Sequence, residues 1–107
     1  MKELTFDKDG YPTDESLDFI AQYDPREHGD SWADLLSFLF SVWNWNDFVR
    51  MKGSRLELVT GGWSGNESVI EALGKNILFW AMFWQRSERG GYFLFKIPAK
   101  SRKGEKP

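Results

Sequence analysis

Apolar residues recur along this chain with two different periods, and the places where the period changes outline its elements. Leu4 and Phe6 alternate with polar neighbours ahead of Asp9-Gly10, which predicts a short opening strand and a turn. Leu17, Ile20 and Ala21 then form a helical stripe. Thr13 is placed to cap that helix, Asp14 and Glu15 suit its positive end, and Asp24-Pro25 closes it. Arg26 to Asp30 reads as a loop. Trp32, Leu35, Leu36, Leu39, Phe40 and Trp43 return at helical spacing, so a second amphipathic helix follows, with Ser31 and Asp34 as its capping box. Asn44 and Asn46, on either side of Trp45, break the pattern.

The second half changes period twice. Phe48 to Met51 and Arg55 to Thr60, separated by Lys52-Gly53, are expected to pair as a hairpin. The second arm runs into the Gly-rich turn Gly61-Gly62-Trp63-Ser64-Gly65. Ser64 and Glu67 fit a capping box, so a long helix is predicted from about Gly65 to about Glu88. Ile70, Leu73, Ile77, Trp80, Ala81 and Trp84 make one stripe of it, and Val69, Ala72, Phe79 and Phe83 another. A helix apolar on nearly all sides is expected to be buried on more than one. A strand is the competing reading of the apolar run Ile77 to Trp84. Gly74, costly in a helix interior, suggests close approach of another element. Gly90-Gly91 is read as the stop, and Tyr92 to Ile97 as a β-prone run ending at Pro98. Strand, Gly-rich turn, long helix and strand together imply an α+β fold, a small sheet with helices packed on one face. If the two strands were parallel, the crossover would be right-handed. Residues 1–97 read as a single globular domain and 98–107 as a basic, mobile tail.

Composition narrows the class. The chain has 107 residues, 41% of them hydrophobic and 17% aromatic, enough for one core and unlike a disordered chain. There is no cysteine, which excludes disulfides and thiolate metal sites. The charged start has no signal-like apolar segment, and no apolar run approaches bilayer length, so a cytoplasmic location is expected. Net charge is −2 but segregated. Residues 1–34 hold ten acids against three bases, while residues 93–107 hold five bases against one acid. Such asymmetry marks either an electrostatic partner or an acidic solvated face with a basic tail.

Candidate chemistry is sparse. The Gly-rich turn at a helix start could cradle an anion through free amides, with Gly62, Ser64 and Asn66 lining it and Arg86 or Arg89 as phosphate partners. It lacks the lysine of a phosphate-binding loop and the G-x-G-x-x-G spacing. The two arginines are also expected at the far end of a helix about 35 Å long. His28 reads as an exposed loop histidine without a catalytic partner. Glu67 and Glu71 share a helix face, but capping and an ion pair with Lys75 account for them. No catalytic residues, metal ligands or cofactor are assigned. Of the six Trp, Trp63 and Trp45 fall in turns, where aromatic rings serve as anchors for partners. The string RGGYFLF departs from an RNA-recognition strand after its first glycine, and the acidic amino-terminal segment argues against a broad basic footprint, so nucleic acid is not an expected partner.

GYPTDESL, VTGGWSGNESVIEAL and FWQRSERGGYFLF together resemble small proteins of phages and prophages, mainly across residues 55–97. The resemblance implies an accessory protein that acts by binding a host factor, and it carries no catalytic residues. The leading expectation is therefore a non-enzymatic binding protein, its partner another protein and a homodimer compatible with it. The alternatives are a small nucleotide- or anion-binding domain or enzyme built on Gly61–Gly65, and an immunity-type protein that neutralises a toxin.

Overall fold

Two hairpins build the sheet. In the computed structural model, which describes residues 11–43 and 48–102, β1 (Val49–Lys52) turns through Gly53-Ser54 into β2 (Arg55–Val59), with Lys52 opposite Arg55. The second hairpin joins β3 (Trp84–Glu88) to β4 (Tyr92–Lys96) through Arg89-Gly90-Gly91, with Glu88 opposite Tyr92. β2 pairs β4, giving the order β1-β2-β4-β3 with every neighbour antiparallel. The sheet is thus the expected small α+β sheet, but β2 and β4 are not a parallel pair. The intervening strand β3 adds one pass of the chain, which reverses the direction of β4.

That extra strand comes from the segment predicted as a helix to Glu88. The helix stops early: α3 covers Ser64–Lys75 and α4 covers Ile77–Phe83, with the non-helical Asn76 (φ −83°, ψ 83°) between them. Asn76 ends one helix and starts the next. Its backbone amide bonds the carbonyls of Ala72 and Leu73, while its side-chain oxygen accepts from the Phe79 amide at 3.1 Å. Short polar side chains of this kind offer the backbone an alternative to continued helix. At Trp84 the chain is extended (φ −65°, ψ 134°) and enters β3. Gly90-Gly91 consequently serves a hairpin and is not a helix stop.

Two further helices complete the covering layer, α1 (Asp14–Gln22) and α2 (Ala33–Val42). Thr13 caps α1 as expected, its hydroxyl accepting from the Ser16 amide at 3.1 Å. Neither Ser31 nor Ser64 is the N-cap that its predicted capping box requires. Trp32 is the N-cap of α2, the Ser31 hydroxyl accepts from the Ala33 amide, and the Asp34 carboxylate faces His28 instead. Trp63 is the N-cap of α3, and Ser64, already helical, donates its hydroxyl to the Tyr11 phenol oxygen at 3.2 Å.

The core lies between these helices and one face of the sheet. Leu56, Leu58 and Phe95 point into it from the strands, and Ile20, Leu35, Leu39, Val69, Leu73, Phe79 and Phe83 from the helices. Phe79 and Phe83 meet the Trp32 ring at 5.4 and 5.5 Å, and Phe79 meets Phe95 at 5.3 Å. Side chains alternate across a strand, so the opposite face carries Arg50, Lys52, Arg55, Glu57, Tyr92, Leu94, Lys96, Arg86 and Glu88. Beyond β4, Ala99–Arg102 form a single 3-10 turn, and the Ser101 carbonyl accepts from the Trp32 amide at 2.9 Å. Among the described residues no helix is long and apolar enough to cross a membrane.

Candidate functional site

The Gly-rich turn is held by its own bonds. Thr60 receives three of them: its carbonyl accepts from the Trp63 amide and from the buried Asn66 side chain, and its hydroxyl accepts from the Gly62 amide. Asn66 is therefore a strut of the turn, fully buried, with its amide group spent on the Thr60 carbonyl. The Trp63 ring folds back over the turn. It stacks on Tyr11 at 5.0 Å and covers Gly65, where a Cβ would collide with its six-membered ring. This close approach is the reason for glycine at 65. Trp63 is half-buried by these contacts, and Trp45 lies outside the described residues.

The structure reverses the expected separation between this turn and the arginines. With β3 antiparallel to β4, the hairpin Arg89-Gly90-Gly91 comes back beside Gly61, and the Thr60 amide donates to the Gly91 carbonyl at 3.0 Å. Arg89 is exposed at the tip of that hairpin. Arg86 lies on the bare sheet face, its Nε 2.9 Å from the Glu88 carboxylate and its guanidinium 5.9 Å from the centre of the Tyr92 ring.

His28 is the functional type of residue that the sequence placed least well. It is half-buried, its ring stacked on Tyr23 at 4.3 Å, and its Nδ1 lies 2.8 Å from the Asp34 carboxylate. Phe19, Ser37, Phe38 and Ser41 complete a groove of about 480 Å³ around this pair. The contacts tie the 3-10 turn Pro25–His28 to α1 and α2, across ten residues of chain too irregular to pair by spacing. Tyr23, below it, donates its hydroxyl to the Ser31 carbonyl at 2.7 Å. Burial, with the Asp34 charge adding to it, pushes that phenol up to about 12. Nearby, the hydrogen bond from the Arg26 side chain holds the Asp24 carboxyl below its usual range. Among the described residues there is no cluster of side chains that could hold a metal ion.

The least expected surface belongs to α4. Phe79 and Phe83 face the core, so the buried stripe is the one that begins with Val69 and Ala72. The other predicted stripe divides: Leu73 is buried and Ile70 and Trp80 pack against the core, while Ile77, Ala81 and Trp84 face outward. Ile77 is 76% exposed, Met82 52%, Leu78 51% and Trp84 41%. Ile77, Ala81 and Trp84 follow one another along one line, Leu78 and Met82 lie beside them, and Trp84 stacks on Trp80 at 6.3 Å. Gly74, just before, borders open space and no close-packed element.

These features define a small α+β domain whose four-stranded antiparallel sheet is covered on one face and whose last helix is half bare. Comparison with protein families, curated proteins and solved structures finds no match for this chain.

Proposed function

We propose that this is a non-enzymatic binding protein that recognises another protein through the outer face of α4. The observation that carries the reading is the exposure of Ile77, Leu78 and Met82 on a helix whose other side is locked into the core, continued by Trp84 where the chain enters β3. Large apolar side chains grouped in this way cost solubility, and in folded proteins such patches are characteristic of contact surfaces. The complementary partner is a protein segment that offers its own apolar side chains to a rigid helix, with Trp84 as the aromatic anchor at one end. The accessory role in a phage or prophage setting rests on the resemblance of the motifs across residues 55–97.

The test is site-specific photo-crosslinking in cells of the protein's own source. A crosslinker at position 78 should capture one discrete protein, and a crosslinker at the exposed position 71 should not. Met82→Asp should abolish that product at unchanged protein level. Products identical from 78 and 71, or retained in the Met82→Asp protein, would overturn the reading. Loss with Trp63→Ala but not with Met82→Asp would move the contact to the Gly-rich turn.

A further inference from the structure

The sheet face that none of the described helices covers has a charge pattern that its own stability does not call for. Lys52 lies directly opposite Arg55, and Arg55 directly opposite Lys96, so three cations stand in one row across three strands. Like charges directly opposite one another destabilise a sheet. Arg55 shares Glu57 with Arg50, at 3.3 and 3.4 Å. Lys52 and Lys96 have no acidic partner among the described residues. The next row adds Arg50 and Arg86 around Glu57 and Leu94. On this face five cations therefore meet two acids, Glu57 and Glu88.

The position of the remaining acids sharpens this. Among the described residues, Asp14, Glu15, Asp18, Asp24, Glu27, Asp30 and Asp34 fall on or between α1 and α2, and Glu67 and Glu71 on α3, in the layer that covers the other side of the sheet. The acidity of the described helices thus lies away from this face, which is locally basic. Strands lie about 4.8 Å apart, so the cation row is about 10 Å long. That extent suits a run of linked anionic groups better than one small anion. Beside the row, the half-buried Tyr92 ring and the exposed Arg86 guanidinium over it form a small π-rich platform, and Leu94 next to them is buried. The Tyr92 hydroxyl donates to the Glu57 carboxylate at 3.0 Å, which fixes the ring and holds Glu57 below the usual carboxylate range. A depression of about 510 Å³ lined by Arg50, Lys52, Arg55 and Glu57 opens at the other end of the face.

We infer that this sheet face binds single-stranded nucleic acid, with the Lys52–Arg55–Lys96 row on the phosphates and the Arg86–Tyr92 platform under the bases. A single strand fits both halves of the surface, because its bases are free to stack on aromatic rings and guanidinium planes while its backbone follows a basic track. A duplex presents phosphates alone and leaves the platform unused. This site is separate from the α4 face, so either can fail without the other.

The test uses fluorescence anisotropy with a labelled single strand of roughly a dozen nucleotides. Three phosphate contacts predict a salt slope of about −2, that is, roughly a fifteenfold weaker affinity on going from about 50 to 200 mM salt. The decisive variant is Lys52→Glu with Lys96→Glu, which converts the repulsive row into alternating charges. Its urea midpoint should equal or exceed that of the unaltered protein, while its affinity falls at least tenfold and its salt slope collapses. Met82→Asp should bind the strand unchanged. Absence of saturable binding at about 50 mM salt, or unaltered binding by the Lys52→Glu, Lys96→Glu protein, would overturn the proposal. Equal affinity for a duplex of the same length would overturn the choice of a single strand.

Discussion

At the scale of single residues, Asn76 connects parts of the chain that are far apart in sequence. Its side-chain nitrogen donates to the carbonyls of Ile20 and Tyr23 at 3.0 and 3.1 Å, so the residue that splits α3 from α4 also ties both to the end of α1. Asn76→Ala takes the partner from the Tyr23 carbonyl and from the Phe79 amide, while the Ile20 carbonyl keeps the Tyr23 amide, and unsatisfied buried groups cost about 1–3 kcal/mol each. Urea denaturation should accordingly show a loss of about 2–4 kcal/mol. Gly91 is constrained in another way: its φ of 85° suits glycine, and a Cβ there would strike the Thr60 hydroxyl. Tyr23 supplies a pH dependence with a definite sign. Its phenol is held protonated to about 12 in the fold against an ordinary value of 10.0. The folded state keeps a proton that the unfolded state releases, so this contribution is complete below pH 10 and is lost as pH rises toward 12. Urea midpoints measured across that interval should fall, and Tyr23→Phe should flatten the decline.

At the scale of elements, α4 and β3 decide between the observed chain path and one continuous helix. On a helix buried on all sides, substitutions at 77, 78, 79 and 83 would be comparably damaging. Here the two faces differ sharply. Phe79→Ala and Phe83→Ala should each cost about 3–5 kcal/mol through cavity formation. Ile77→Asp and Leu78→Lys should stay within about 0.5 kcal/mol of the unaltered protein in the same urea titrations. A uniform penalty would restore the long helix. The apolar run was easy to recognise in the sequence, but its period was not, because seven residues between an Asn and a strand hold barely two helical turns. The strand that follows, WQRSE, is wholly exposed at the sheet edge and carries no alternation of apolar and polar residues to announce it.

At the scale of the whole molecule, the fold separates charge and separates surfaces. Helices with acidic first turns cover one side of the sheet and the basic rows occupy the other, so the near-neutral total conceals two oppositely charged sides. The segment after β4 belongs to this arrangement. Its Ser101 carbonyl accepts from the amide of Trp32, a ring only 3% exposed that packs on Phe79 and Phe83. Ending the chain after Pro98 should therefore destabilise the fold by about 1–3 kcal/mol, the cost of a buried amide left without its acceptor. Thermal unfolding of the shortened protein checks this, and an unchanged midpoint would mean that residues 99–102 are dispensable to the core.

The sequence by itself determined what depends on neighbours along the chain. The Thr13 cap, the existence of α1 and α2, the first hairpin and the β-prone run of β4 rest on local spacing and turn chemistry, although Phe40 of the expected α2 stripe is exposed and Phe38 and Val42 are buried instead. The Gly-rich turn was legible as a strand-to-helix turn, though not the way Trp63 lies over Gly65. Tertiary structure decided the rest, because the deciding contacts join residues far apart in sequence. Asn76 breaks its helix with the help of carbonyls 53 and 56 residues away. The direction of β4, the meeting of Gly91 with Thr60, the outward turn of Ile77 and the row of Lys52, Arg55 and Lys96 follow from that break and from the β3 strand it makes room for. A periodic pattern records that a residue has an apolar side. Which stripe is buried is settled only when the sheet and the other helices occupy one of them.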